Sequence, residues 1–146
     1  MSQKQTLGVG GLSYKSTADL SGLLTDVTNG NPVGTAKKNG IGLIVIADVN
    51  ADVSVVLAAD ASKPYVGVLE DNPRAAEPAN VQSNRGASAK VLAGAAVTRG
   101  DKIMSDAYGR GITLTSGGHH GIGIAMESAA GAGSLFEMVI ADSYLA

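Results

Sequence analysis

The chain has 146 residues, of which 45% are hydrophobic, and 11 basic against 13 acidic side chains give a formal charge of −2; there is no cysteine. The missing cysteines exclude disulfides, thiolate chemistry and Cys-ligated zinc, and a charge balance whose only adjacent basic pair is Lys37-Lys38 excludes a groove for nucleic-acid phosphates. The longest apolar run, residues 41–47, is far short of the roughly 20 residues of a membrane-spanning helix.

Residues 1–15 are polar and glycine-rich, with Leu7, Leu12 and Tyr14 standing alone. Such a segment reads as an arm, disordered alone or ordered against a partner. No apolar stretch follows Ser2–Thr6, so a secretion signal is not expected, and the protein is expected to be soluble and made in the cytoplasm. Ser16-Thr17-Ala18-Asp19 resembles a helix cap, and Leu20, Leu23, Leu24 and Val27 follow at helical spacing. This predicts one short helix over 17–28, ended by Asn29-Gly30 and needing a surface to lie on. Residues 1–40 are therefore expected to form an arm, and 41–146 the folded domain.

Beyond Asn31-Pro32 the pattern is that of strands. Apolar or alternating runs occupy 42–47, 53–58, 65–69, 90–93, 112–115, 122–126 and 135–140, separated by turn signals such as Asn39-Gly40, Asn50-Ala51-Asp52, Tyr108-Gly109 and Gly117-Gly118. Short strands at roughly ten-residue spacing predict an all-β, mainly antiparallel fold, a small sandwich or barrel-like domain. No second helical pattern is long enough for the crossovers of a parallel α/β sheet. With one Phe, four Tyr and no Trp, the core must be built from small aliphatic side chains, each contributing little at roughly 25 cal/mol per Å². A core this thin is better covered by neighbouring copies, so oligomerisation is expected.

The stretch from Lys90 to Ser128 holds the features most suggestive of chemistry. Arg99-Gly100-Asp101 is read as turn chemistry and not as an adhesion motif. His119-His120, after two glycines, is read as a solvated turn; neighbouring strand residues would face opposite ways, so one ion could hardly take both. The glycines at 8–11 and 121–123 lack the strand-then-helix context of a nucleotide-binding fingerprint, and no serine sits in a nucleophile elbow. No catalytic residue, metal site or cofactor is assigned, and the protein is expected not to be an enzyme. Gly67, Pro73, Gly94, Gly100, Asp101, Gly109 and Gly123 are read as turn and scaffold residues, with Gly67 and Gly123 allowing a neighbouring backbone to approach closely.

Several segments in a fixed order carry a resemblance. They are Tyr65-Val66-Gly67-Val68-Leu69-Glu70-Asp71-Asn72-Pro73, then Glu77-Pro78-Ala79-Asn80-Val81 and Gly86. Next come Ser88-Ala89-Lys90-Val91-Leu92-Ala93-Gly94, the run Ala95 to Asp101, and Ser105-Asp106-Ala107-Tyr108-Gly109. Gly121 to Gly133 and the early Asp19-Leu20-Ser21 complete the set. The series resembles the capsid decoration, or cement, proteins of tailed bacteriophages over about residues 64–140, while residues 1–40 are longer and richer in glycine than that pattern. The resemblance implies a structural virion protein, a homotrimer on the outer capsid surface whose partner is the major capsid protein. It implies no dealings with nucleic acid or membrane. On that reading Leu7, Leu12, Tyr14, Leu20, Leu23 and Leu24 are expected to meet the capsid while the β-domain forms the trimer. The alternative it leaves open is a receptor- or glycan-binding fibre or head-surface module of a virion.

Overall fold

The computed structural model describes residues 14–16, 24–25, 32–33, 41–50, 52–59, 61–71, 77–115 and 117–146. These form thirteen strands, and there is no helix among the described residues. The strands are β1 (Tyr14–Ser16), β2 (Leu24–Thr25), β3 (Pro32–Val33), β4 (Ile44–Ala47), β5 (Ser54–Leu57), β6 (Gly67–Leu69) and β7 (Pro78–Ala79). They continue with β8 (Val81–Gln82), β9 (Ser88–Leu92), β10 (Lys102–Ser105), β11 (Gly111–Thr113), β12 (His119–Ala125) and β13 (Leu135–Leu145). One sheet has six strands in the order β7-β1-β5-β4-β6-β8, a second has five in the order β11-β10-β12-β13-β9, and β2 and β3 pair as a separate two-stranded sheet. All pairings within the two larger sheets are antiparallel except β1 with β5.

The five-stranded sheet alternates as a half-buried sheet should. Along β13, Phe136, Met138 and Ile140 point inward and are fully buried; Ala89 and Val91 of β9, Ile103 of β10 and Ile122 of β12 complete the same core. The sheet then curls round on itself. Ala93, just past β9, bridges in parallel to Gly111 of β11, and the Gly94 amide donates to the Gly111 carbonyl at 2.9 Å, joining the two edge strands. Closure this tight requires glycine at 111, where a Cβ would lie 2.7 Å from Val91 Cγ1 and 3.0 Å from Phe136 Cζ.

The middle of the six-stranded sheet, β4 and β6, is buried on both faces, which is why 42–47 and 65–69 read as continuous apolar runs. Ile44 and Val68 join the core of the five-stranded sheet, whereas their neighbours Val45 and Leu69 pack with Val55, Ala79 and Val81 in a second cluster on the opposite face. Gly42 ties the sheets together: its amide donates to Leu69 and its carbonyl accepts from Leu92, both at 2.9 Å, at a φ of +94° that favours glycine.

Three sequence expectations need correction. Within the expected helix over 17–28, the described residues Leu24–Thr25 are extended and pair with Pro32–Val33; tertiary pairing overrides the leucine spacing there, and the rest of that segment lies outside the described residues. His119 and His120 are not a turn. They begin β12, opposite Leu145 and Tyr144 of a β13 that runs past residue 140 and offers them a partner. Finally, β1 belongs to the segment expected to be an arm, yet it sits inside the six-stranded sheet between β5 and β7.

Candidate functional site

The turn after β10 is built around one carboxylate. Asp106 Oδ1 accepts from the amides of Tyr108 (2.8 Å) and Arg110 (2.9 Å), and Oδ2 accepts from Arg110 Nε (2.7 Å) and Nη2 (2.6 Å). Both side chains are nearly buried, and the Arg110 guanidinium also lies 5.0 Å over the Tyr108 ring. Gly94 packs directly against this pair, since a Cβ there would collide with Asp106 Oδ2. Gly109 takes a φ of +80°, and its carbonyl accepts from the Ile44 amide at 2.7 Å, holding the turn against β4. The arrangement fixes backbone and leaves the carboxylate no capacity for catalysis.

Arg99-Gly100-Asp101 is likewise internally committed. Asp101 Oδ2 accepts from the Thr98 amide and the Thr113 hydroxyl, both at 2.9 Å, and the Arg99 amide donates to Ser128 Oγ at 3.0 Å. One oxygen of the aspartate thus braces the turn. Gly67 opens β6 where a Cβ would strike the Gln82 carbonyl, and Gly123 lies beside a bulge of β12 where it would strike the Val139 carbonyl. Pro73 lies outside the described residues.

Of the six expected capsid contacts, Leu7, Leu12, Leu20 and Leu23 lie outside the described residues, and Leu24 is in β2. Tyr14 is half-buried and packs against the second core cluster, anchoring the start of the described chain to the sheet. Next to it, the Lys15 amide donates to the carbonyl of Val53 at 2.9 Å. Val53 is at the tip of the β4–β5 hairpin, is 58% exposed and has a φ of +51°, a strained conformation for a β-branched residue; Val49 on the same tip is 82% exposed. A second exposed surface lies across β9 and β13, where Lys90 pairs with Glu127 (3.0 Å) and Glu137 (3.3 Å) beside exposed Leu135 and Met126. The hydrogen bonds to Glu127 and then Glu137 raise the Lys90 pKa above its ordinary value. The Lys90 ammonium and the Glu137 amide hold the Glu127 carboxyl below the usual carboxylate range.

One cleft, of about 330 Å³, draws on four separate segments: Pro64 and Tyr65, Arg85, His120, and Asp142 with Tyr144. The Tyr65 hydroxyl donates to the His120 carbonyl and accepts from the Ser105 amide, both at 3.0 Å, fixing the floor. His120 and Tyr144 have ring centroids 4.8 Å apart, and Arg85 Nε donates to Asp142 Oδ2 at 2.9 Å. Sequence reasoning missed this cleft, because only the fold brings its parts together. No group of three or more His, Cys, Asp or Glu side chains able to hold a metal occurs among the described residues, and no helix among them is long and apolar enough to cross a membrane.

Residues 15–140 match the family described as phage cement protein. The fold is similar to the crystal structure of the head fiber gp8.5 N base in bacteriophage phi29, with a TM-score of 0.62 at 16% identity over 92% of this chain and 96% of that one. No curated protein sequence matches the chain.

Proposed function

The chain belongs to the phage cement protein family, and from that premise we propose that it binds the outside of a phage head as a homotrimer and stabilises the expanded shell by bridging neighbouring major capsid subunits. Cement proteins are structural components of the virion and not enzymes. A clamp that binds the assembled lattice and not dispersed subunits stabilises the lattice by mass action. Three attachment points on one trimer raise the effective concentration of the second and third contacts after the first has formed.

The observation that carries this reading is the family match, which spans most of the chain. The architecture is consistent with it: a rigid, closed β-core whose polar turns are spent on backbone geometry, with an N-terminal segment joined at Tyr14. Leu7, Leu12, Leu20, Leu23 and Leu24 are the proposed capsid contacts, with Tyr14 at their root. Co-sedimentation with expanded and unexpanded capsids tests the proposal. Binding to expanded heads only is the expected result, and equal binding to both, or to neither, refutes it. Deleting residues 2–12, which spares β1, is expected to lower occupancy on expanded heads without lowering the unfolding temperature. Unchanged occupancy refutes the assignment of Leu7 and Leu12.

A second reading makes the domain the base of a receptor- or glycan-binding fibre, favoured by the fold it shares with the phi29 head fiber N base. Electron microscopy of particles separates the two, because evenly distributed knobs indicate cement and projecting filaments indicate a fibre.

A further inference from the structure

We propose that the cleft between β12, the end of β13 and the Pro64–Tyr65 segment binds one pyranose ring of a neutral saccharide. The chain has four tyrosines, one phenylalanine, two histidines and no tryptophan, yet two tyrosines and a histidine converge here. Tyr65 is spent on the floor through its hydroxyl. Tyr144 is not: it is 57% exposed, and its ring leans on His120 at an interplanar angle of 57°. A large ring held in one orientation with more than half its surface in water is a ready stacking platform. The C–H face of a pyranose is the kind of flat, weakly apolar surface that fits it.

The rim supplies what the hydroxyls of a sugar require. The Arg85–Asp142 pair is itself exposed and lines the same cleft. Its carboxylate retains acceptor sites beyond the one Arg85 occupies, because an ionised carboxylate offers about four lone-pair directions. Gly121 and Ser143 complete the wall between His120 and Tyr144. Arginine and aspartate cancel in charge, which disfavours an anionic ligand. The polar rim would lose its water without return to a purely apolar one. A volume of about 330 Å³ is at the lower end of the roughly 300–1,000 Å³ of small-molecule clefts, and suits a single ring better than an oligomer.

The test uses the isolated full chain, so it stands or falls independently of capsid binding. Amide proton–nitrogen correlation spectra are followed on titration with the methyl glycosides of glucose, mannose and galactose, with N-acetylglucosamine, with rhamnose and with glucuronate. At least one neutral sugar is expected to give saturable shifts at Gly121, Ser143 and Tyr144, with a Kd on the order of 1 mM. Tyr144→Ala, at an exposed position that the fold tolerates, is expected to weaken that sugar about ten-fold, and Asp142→Asn to weaken it by a similar factor, while Arg99→Ala leaves it unchanged. Any of three results overturns the proposal: no saturable shift with any neutral sugar to roughly 20 mM, undiminished affinity in Tyr144→Ala, or glucuronate binding more tightly than every neutral sugar.

Discussion

Replacing Asp106 with alanine is predicted to be among the most damaging single changes in the protein, because of what it leaves behind. Asp106 serves two backbone amides and both the Nε and Nη2 of Arg110, whose side chain is only 6% exposed and whose Nη1 already lacks a partner. Removing one member of a buried ion pair costs about 3–5 kcal/mol, since the other charge stays dry and unpaired. The Tyr108 amide lies on an exposed residue and can recover water, whereas the Arg110 amide is on a buried one and adds to the loss. At about 4 kcal/mol, and with about 2–4 °C per kcal/mol for a chain of this size, the unfolding midpoint should fall by roughly 8–16 °C. Scanning calorimetry at one fixed protein concentration is the assay, because association would otherwise shift the midpoint. The double variant Asp106→Ala, Arg110→Met removes the stranded charge and should recover about 1–3 kcal/mol relative to Asp106→Ala alone. A loss below about 1 kcal/mol in the single variant, or no recovery in the double, would refute the reasoning.

Gly123→Ala places a methyl against the Val139 carbonyl and the Met138 side chain. The obstacle is partly backbone, so thermal unfolding should show a loss of about 1–3 kcal/mol. Val53→Asn keeps an exposed position but suits its φ of +51° better. Denaturant titration should show a gain of about 1 kcal/mol, and a loss would mean the strain is not real. The Glu127 carboxyl has its pKa lowered in the folded state from 4.5, so its stabilisation is present above that value and disappears as pH falls through the folded pKa. Lys90, raised from 10.5, loses its share only as pH rises through its folded value. Glu127→Gln should therefore flatten the acid limb of the stability-versus-pH curve, and a limb identical to that of the wild type would contradict the pairing.

Much of the fold was readable because the main strands carry their burial in their own residues. Alternation along 135–140 marks Phe136, Met138 and Ile140 as one face, and the continuous run at 42–47 marks a strand covered on both sides. What escaped was whatever depends on a partner elsewhere in the chain. Pro78–Ala79 and Val81–Gln82 are two-residue strands with no period to detect, and they exist because β1 and β6 present edges to them. His119 and His120 look like turn residues until β13 is seen to continue to Leu145. Leucines at 20, 23 and 24 satisfy a helical spacing, but periodicity cannot say that Leu24–Thr25 has Pro32–Val33 beside it. The candidate site was less legible still. Tyr65, Arg85, His120 and Tyr144 are separated by tens of residues and meet only in the folded chain, whereas the conspicuous Arg99-Gly100-Asp101 is a turn braced by its own aspartate.

The bridge from Ala93 to Gly111 has a consequence for life at high density. A polypeptide that is 45% hydrophobic and strand-built throughout its described part would normally be prone to stacking into fibrils. The bridge covers part of both edges of the five-stranded sheet, and the six-stranded sheet ends in strands of only two residues. Crowded molecules of this kind can therefore touch through side chains, which separate again, but find little exposed main chain on which to zip together irreversibly.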